Sequence, residues 1–160
     1  MNFFDKIITL EKLSEWRTAM RHQNKRVVVT NGCFDLIHVG HVTYLQTARN
    51  LGDVLLVGLN SDTAVKILKG NDRPINNEVD RASILASVES VGAVCIFNST
   101  TATEFLNVAC PDIYAKGGDY TIHTLNPDER RTVKNCGGRI VIIPLVEGRS
   151  TTHTLKKITS

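Results

Sequence analysis

The sequence predicts an α/β domain in which a doubly wound, five-stranded parallel sheet is flanked by helices and preceded by an amphipathic N-terminal helix. From Arg26 onward, short apolar runs alternate with segments of helical periodicity, which is the pattern of a parallel sheet with right-handed crossovers. Residues 53–60 are almost entirely apolar, as expected of a strand covered on both faces. The length of 160 residues favours one domain, with a helical extension at 1–25 and a catalytic core at 26–160.

Each element is predicted from the spacing of its apolar residues. The N-terminal helix is placed at 9–23, where four residues recur at helical spacing: Leu10, Leu13, Trp16 and Met20. The predicted strands are 27–30, 53–60, 93–97, 112–115 and 139–144. The predicted helices of the core are 42–51, 62–68, 77–90, 103–109, 127–135 and 151–158.

Local signals set several helix boundaries. Ser61 is a suitable cap for the helix at 62–68, and Pro127 fits the first turn of the helix at 127–135. Residues 69–74 are polar and rich in turn formers, which predicts a loop. The buried side of the helix at 77–90 is predicted to carry four apolar residues: Val79, Ile84, Leu85 and Val88.

Composition excludes several classes of function. The net charge of +3 is too small to indicate nucleic-acid binding, and no apolar run approaches the roughly 20 residues of a membrane span. The acidic N-terminus does not fit a signal peptide. Four widely spaced cysteines form no zinc or redox motif: Cys33, Cys95, Cys110 and Cys136. We therefore expect reduced thiols and a cytoplasmic protein.

Residues 30–41 are the most informative segment for function. They connect an apolar strand, a glycine-bearing turn and the start of a helix, where backbone N–H groups and the helix dipole attract anions. His38 and His41 are three residues apart, so both imidazoles lie on one face of that helix end. Two imidazoles beside an anion site indicate phosphate chemistry. A metal site formed by these histidines and Cys33 matches no standard zinc spacing, and the ligands of any metal stay unknown.

Three further polar segments follow predicted strands, at Asn60–Asp62, 116–120 and 148–152. Ligands of doubly wound sheets bind outside the carboxyl ends of the strands, so these segments and residues 30–41 should converge on one site. Taken singly, each has an ordinary structural alternative, because hydroxyls cap helices and Gly-Gly-Asp is a common turn. The sequence contains neither GxxxxGK[ST] nor a GxGxxG after the first strand, which disfavours the corresponding nucleotide folds.

Residues 32–41 resemble the GxFDxxHxGH pattern of the cytidylyltransferase-like nucleotidyltransferases, whose superfamily is Rossmann-like and includes class I aminoacyl-tRNA synthetases. Residues 148–152 resemble the second motif of that family, with Arg149 where isoleucine is usual. Asn60–Asp62, residues 69–74, the helix bearing Arg81 and residues 116–120 resemble D-glycero-D-manno-heptose 1-phosphate adenylyltransferases. These occur alone or fused to a sugar kinase, and the absence of a kinase half here fits the stand-alone form.

The resemblance implies that ATP and D-glycero-β-D-manno-heptose 1-phosphate react to give ADP-heptose and pyrophosphate, for the inner core of lipopolysaccharide. The implied catalytic residues are His38, His41 and Lys69. The implied ATP ligands are Thr30, Asn31, Gly32, Cys33, Phe34, His38, Gly40, His41, Lys116, Gly118, Asp119, Glu147, Ser150, Thr151 and Thr152. The implied sugar-phosphate ligands are Asp35, Asn60, Asp62, Lys69, Arg73 and Arg81. Mg²⁺ is expected with the triphosphate, and a homo-oligomer is expected without nucleic-acid or membrane partners.

Two other functions remain open at this stage. The same motifs occur in glycerol-3-phosphate and phosphoethanolamine cytidylyltransferases and in FAD synthetases, which differ in the nucleotide and the phosphate ester that they use. A non-catalytic nucleotide-binding domain would share the fold but release no pyrophosphate. A comparison of ATP with CTP across phosphate esters separates the first group, and pyrophosphate release separates the second.

Overall fold

The computed structural model describes residues 1–160 as a single parallel sheet with helices on both faces. The strands are β1 (Ile7–Ile8), β2 (Val27–Gly32), β3 (Val54–Asn60), β4 (Ala93–Phe97), β5 (Ile113–Gly117) and β6 (Arg139–Ile143). The helices are α1 (Leu10–His22), α2 (Val39–Arg49), α3 (Asp62–Lys69), α4 (Glu78–Ser87), α5 (Thr103–Ala109), α6 (Pro127–Asn135) and α7 (Thr151–Thr159), and a 3₁₀ turn spans Phe3–Lys6.

The sheet has six strands, so the prediction of five was wrong. The additional strand, β1, is only two residues long and pairs in parallel with Val94 and Cys95 of β4. Two residues carry no periodicity, and only the pairing with β4 makes them a strand. The strand order is β1-β4-β3-β2-β5-β6, and the Rossmann-like, doubly wound arrangement is confirmed.

Alternate residues of each central strand face opposite helical layers. One core lies under α2 and α4 and contains Val28 and Leu45, and the other lies under α1, α5 and α6 and contains Val29 and Phe105. From β2 the chain runs outward through β3 to β4 and then returns to β5 on the other side of β2. The crevice where the strand order reverses therefore opens at the carboxyl ends of β2 and β5.

Several predicted boundaries move in the structure. Helix α2 begins at Val39 and not at residue 42, because the His38 side chain caps it. Helix α3 extends to Lys69, which was predicted to begin a loop, and β5 extends through Gly117. Helix α4 is shorter than predicted, at Glu78–Ser87.

The predicted buried side of α4 is only partly correct. Leu85 is fully buried, but Val79 is 63% exposed and Ile84 is 41% exposed. The inward face instead carries Arg81 and small residues, with Ala82 and Ala86 packed on the sheet. Small side chains bring this face of the helix close to the strands, and Val79 and Ile84 lie outside that face.

The cysteines also differ from expectation, because Cys110 and Cys136 are paired as a disulfide with their Cα atoms 5.3 Å apart. They cap the C-terminal ends of α5 and α6, which the fold brings together although 26 residues separate them in sequence. The prediction of four reduced thiols was wrong for this pair. Cys33 and Cys95 are free thiols. None of the helices combines the length and apolar character needed to cross a membrane.

Candidate active site

A cavity of about 800 Å³ opens at the carboxyl ends of β2 and β5, where the topology places the crevice. It is lined by the β2–α2 segment, the ends of β3 and β5, the start of α6 and the segment leading into α7. The predicted site residues that line it are Asn31, Gly32, Cys33, Phe34, Asp35, His38, Gly40, His41, Asn60, Lys69, Arg73, Lys116, Asp119, Ser150, Thr151 and Thr152. Four separate polar segments of the sequence therefore meet at one site.

Five predicted site residues do not line the cavity: Thr30, Asp62, Arg81, Gly118 and Glu147. The hydroxyl of Thr30 is buried 2.7 Å from the hydroxyl of Tyr44. Gly118 lies against the backbone of residues 143–145, where a Cβ would be 3.2 to 3.3 Å from the nearest backbone atoms. Asp62 and Arg81 are paired with each other at 2.8 Å.

Both histidines of the motif cap the N-terminus of α2. The N–H of Gly40 donates to Nδ1 of His38 at 3.1 Å, and the N–H of His38 donates to Nδ1 of His41 at 3.3 Å. A neutral imidazole whose Nδ1 accepts a hydrogen bond carries its proton on Nε2. Each ring can therefore donate from Nε2, and the two rings stack with centroids 3.9 Å apart.

The surroundings hold both imidazoles neutral. Burial, and then the neighbouring ring of His38, lowers the pKa of His41 to about 4. Burial, followed by the charge of Arg149, also lowers the pKa of His38. At neutral pH the pair therefore consists of two neutral hydrogen-bond donors and not of charged imidazoliums.

A second helix N-terminus faces the first. Ser150 caps α7 by accepting a hydrogen bond from the N–H of His153 at 3.0 Å, and the hydroxyl of Thr151 donates to the carbonyl of Leu36 at 3.3 Å. A Cβ on Gly40 would lie 2.9 Å from the His38 ring and 3.0 Å from Cβ of Arg149, so only glycine allows this approach. The N-termini of α2 and α7 thus form one anion site, which we call the phosphate cradle.

Asp35 organises the loop that follows α3. Its carboxylate is 3% exposed and accepts hydrogen bonds from Nε of Arg73 at 2.6 Å and from the N–H groups of Ile75 and Asn76 at 2.8 to 3.0 Å. Burial alone would raise the pKa of Asp35, but these donors outweigh it and the pKa is lowered. Asp35 therefore holds Arg73 at the cavity wall, and its own oxygens are already used.

Arg81 is fully buried and its guanidinium binds only protein groups. It donates to the carbonyls of Cys33 at 2.6 Å, Asn60 at 2.9 Å and Asn76 at 3.0 Å, besides the carboxylate of Asp62. These contacts fasten the β2–α2 segment to the end of β3 and to the loop before α4. This geometry makes Arg81 a positioning residue that does not reach a ligand in the cavity.

Lys69 and Asp119 are two predicted site residues whose charged groups have no ion-pair partner. Lys69 ends α3 at the cavity wall, and its ammonium makes no hydrogen bond or ion pair. Asp119, in the loop after β5, likewise has no ion-pair partner. The chain contains no group of three or more His, Cys, Asp or Glu side chains arranged to hold a metal ion.

Sequence reasoning missed part of the lining. The missed residues are Tyr44, Leu68, Thr100, Thr101, Tyr120, Thr124, Asn126, Glu129, Leu145, Val146 and Arg149. Tyr120 and Arg149 lie inside the recognised motifs, which could have indicated them. The threonines after β4 and Glu129 of α6 belong to no pattern, and only the crossover of the chain brings them to the site.

A doubly wound sheet, a capped His-x-Gly-His helix start and a facing Ser-Thr-Thr helix start together define a nucleotidyltransferase domain. The family comparison agrees with this geometry. The chain belongs to the cytidylyltransferase-like family, whose model matches residues 29–157.

Relatives that are similar over almost the whole chain carry the name bifunctional protein HldE. The protein of Methylobacillus flagellatus is 47% identical over 98% of this chain, and that of Syntrophotalea carbinolica is 46% identical over 99% of it. In both cases the match spans 32% of the relative, so this chain corresponds to about a third of those proteins.

Two crystal structures share the fold. The lipopolysaccharide core biosynthesis protein of Thermoplasma volcanium superposes with a TM-score of 0.62 at 22% identity, covering 78% of this chain and 99% of that one. Pantoate-β-alanine ligase of Francisella tularensis, in complex with a β,γ-ATP ligand and β-alanine, superposes with a TM-score of 0.63 at 14% identity. The match covers 96% of this chain and 73% of that one. At these identities the likeness concerns the fold alone.

Proposed function

We propose that this chain is an adenylyltransferase that converts ATP and D-glycero-β-D-manno-heptose 1-phosphate to ADP-heptose and pyrophosphate, a step in making lipopolysaccharide inner-core precursors. The observation that carries the proposal is the phosphate cradle, in which two neutral imidazoles and two helix N-termini face one cavity. The resemblance of residues 60–62, 69–74 and 116–120 to heptose 1-phosphate adenylyltransferases, and relatives named bifunctional protein HldE, support the choice of nucleotide and acceptor.

The reaction is a single in-line displacement. An oxygen of the acceptor phosphate attacks the α-phosphorus of ATP, a new P–O bond forms, and the bond to the leaving pyrophosphate breaks. This displacement needs no covalent intermediate with the protein. Burial raises the pKa of the Cys33 thiol despite the nearby charges of Lys69, Arg81 and Arg73, which disfavours a thiolate nucleophile in the cavity. Catalysis then consists of positioning the two substrates and stabilising charge on the phosphoryl oxygens.

The histidines serve as donors in this scheme. Each Nε2–H is directed away from the capping hydrogen bonds and is free for a phosphate oxygen, with His41 nearest the α-phosphate. The hydroxyls and N–H groups at 150–152 would bind the β- and γ-phosphates. Lys69, whose ammonium has no protein partner, would span the donor and acceptor phosphates. Asp119 and the backbone of the glycines at 117 and 118 would bind the nucleoside.

Mg²⁺ is the expected companion of the triphosphate, but the chain offers no carboxylate cluster for it. Of the carboxylates in the cavity wall, Asp35 and Glu129 accept hydrogen bonds from the protein. The ion would therefore be held chiefly by phosphate oxygens and water, as is common for this cation. We further propose that residues 1–160 act as one domain, that the protein is cytoplasmic, and that it forms a homo-oligomer.

The test is pyrophosphate release by the full chain with ATP or CTP and a panel of acceptors. The panel contains heptose 1-phosphate in both anomers, glycerol 3-phosphate, phosphoethanolamine and flavin mononucleotide. We expect turnover with ATP and the β-anomer of heptose 1-phosphate. Turnover with CTP and glycerol 3-phosphate would replace the proposal by a cytidylyltransferase. Tight ATP binding without pyrophosphate release on any acceptor would replace it by a non-catalytic nucleotide-binding domain.

A further inference from the structure

The geometry points to a distinct part of the cavity for the acceptor: we propose that the sugar phosphate binds between β5 and α6, with its phosphate on the ammonium of Lys116 and its hydroxyls on the neighbouring polar side chains. This inference rests on the proposed function and adds the acceptor-binding residues to it. We call this part of the cavity the α6-side pocket. It is lined by Asn31, Thr100, Thr101, Lys116, Tyr120, Thr124, Asn126 and Glu129.

The first step concerns the face of the sheet to which Lys116 belongs. Successive side chains of a strand point to opposite faces. Ala115 packs in the core under α2 and α4, whereas Tyr114 packs in the core under α1, α5 and α6. Lys116 shares the face of Tyr114, and so its side chain lies on the α6 side. The phosphate cradle is formed by α2 and α7, with α2 on the opposite side of the sheet.

The second step concerns the charge of Lys116. This side chain is only 7% exposed, yet it forms no ion pair. Its single hydrogen bond is a long one, from Nζ to Oδ1 of Asn31 at 3.4 Å, and the ring of Tyr120 lies 4.4 Å from Nζ. Buried ammonium groups are normally paired and fully hydrogen-bonded. An ammonium with unused N–H groups in a cavity wall is therefore suited to an anionic ligand.

The third step concerns what holds this wall in place. Tyr114 Oη lies 2.6 Å from Oδ1 of Asn31 and 3.3 Å from Oε2 of Glu129. Glu129 also accepts a hydrogen bond from the N–H of Ala102 at 2.7 Å. A buried network thus links α6, β5 and β2 and fixes the amide oxygen that Lys116 contacts. Glu129 acts here as a positioning residue.

The fourth step concerns the type of ligand. The wall around Lys116 contains neutral polar groups, the ring of Tyr120 and the carboxylates of Asp119 and Glu129, neither of which forms an ion pair with the ammonium. The exposed side chains of Thr100 and Thr101 make no hydrogen bond within the protein. Hydroxyls, amides and an aromatic face bind a polyol well, and the ammonium of Lys116 would bind the acceptor phosphate together with Lys69, which also reaches the donor phosphates. The triphosphate already has a place at the helix N-termini of the phosphate cradle. A sugar phosphate is therefore the ligand that fits the α6-side pocket.

The experiment separates the two substrates in the full chain. Lys116→Met keeps the length of the side chain and removes its charge. Steady-state kinetics with ATP and heptose 1-phosphate would give the acceptor KM, and calorimetry with α,β-methylene-ATP would give the nucleotide Kd. We expect the acceptor KM to rise about 10- to 100-fold, because a hydrogen bond from a charged group is lost. The nucleotide Kd should change less than about threefold.

Two further variants guard against indirect effects. Thr101→Trp alters an exposed residue and should also raise the acceptor KM by filling the pocket, whereas Lys134→Met on the exposed end of α6 should leave both constants unchanged. The inference is overturned if Lys116→Met weakens binding of the nucleotide and not of the acceptor, or if Thr101→Trp has no effect on the acceptor KM.

Calorimetry of heptose 1-phosphate with α,β-methylene-ATP present measures acceptor binding without turnover. Binding by the wild type without pyrophosphate release would reject the proposed reaction alone; no binding would reject both.

Discussion

The phosphate cradle and the α6-side pocket meet in one cavity but are built differently. At the cradle, His38, Gly40 and His41 belong to one short segment, and the hydrogen bonds that orient the imidazoles connect residues two or three positions apart. At the α6-side pocket, Asn31, Lys116 and Glu129 come from three separate elements. The histidine part of the cradle is thus ordered by its own helix end, and the α6-side pocket is ordered only by the packed fold.

This difference has a consequence for mutation. In the cradle, the atom that caps the helix is Nδ1 and the atom that faces a ligand is Nε2, so stability and function can be separated within one side chain. In the α6-side pocket, the side chains of the buried network also line the cavity. Substituting them should therefore reduce both the stability of the protein and its affinity for the acceptor.

The largest effect on stability is expected at Arg81. Its tertiary contacts hold the β2–α2 segment, which carries the histidines of the cradle, against the rest of the fold. Arg81→Met would leave the carbonyls of Cys33, Asn60 and Asn76 without their donor and Asp62 without its partner. Loss of such a buried pair should lower the free energy of unfolding by about 3–5 kcal/mol. Urea unfolding followed by circular dichroism measures this loss.

The control for this change is Arg131→Met, since that guanidinium lies on the surface beside Asp128 and should contribute less than about 0.5 kcal/mol. A normally stable Arg81→Met protein with weakened substrate binding would instead make Arg81 a ligand.

The second prediction concerns the catalytic rate and tests whether the capping role and the donor role of His41 can be separated. In His41→Asn, the amide oxygen takes the position of Nδ1 and can accept from His38, but the Nε2 donor is lost. We expect kcat to fall by on the order of 10²–10³, as for loss of one oxyanion donor, with little change in stability. Pyrophosphate release and thermal unfolding measure the two quantities.

His22→Asn on α1 is the matched control, because that imidazole is exposed and outside the cavity. Retention of wild-type kcat in His41→Asn would remove the catalytic role of His41. A large loss of stability would show that the cap and the donor are not separable.

A smaller effect, but on two properties at once, is expected at Glu129. Glu129→Ala leaves the N–H of Ala102 unpaired and frees Tyr114, and loss of hydrogen bonds to a charged group costs about 1.5–3 kcal/mol. The acceptor KM should rise in parallel, because Asn31 and Lys116 lose their support. Glu129→Gln retains an acceptor for Ala102 and should largely restore both properties. An altered KM without destabilisation would indicate direct ligand contact by Glu129.

The smallest effect is the dependence of stability on pH. The unfolded chain has a histidine pKa of about 6.5, whereas the pKa of His41 in the folded protein is lowered to about 4. The folded state therefore binds the proton less readily, and the stabilisation is complete above pH 6.5 and is lost as the pH falls towards 4. The wild type should lose about 1–2 kcal/mol more than His41→Asn across this window, allowing for screening by solvent. Identical pH profiles would reject the neutral imidazole.

Much of the fold followed from sequence periodicity. The predicted spans of α5 and α6 match the structure, since Ala109 and Pro127 lie at clear local boundaries. The prediction for the buried face of α4 was only partly correct, because apolar character alone did not reveal that Arg81 points inward to bind carbonyl groups. Strand β1 was not predicted, because two residues are too few to show an alternating pattern of apolar and polar side chains.

The sequence by itself determined the alternation of strands and helices and the cap of α2, because those features depend on residues within about four positions of each other. The tertiary structure decided which charged groups face the cavity. It buried Arg81 among carbonyls, fixed Asp35 to Arg73, paired Cys110 with Cys136 and left Lys116 without a counter-ion beside α6. Those contacts join segments far apart in the chain, and only the crossovers and packing of the sheet bring them together.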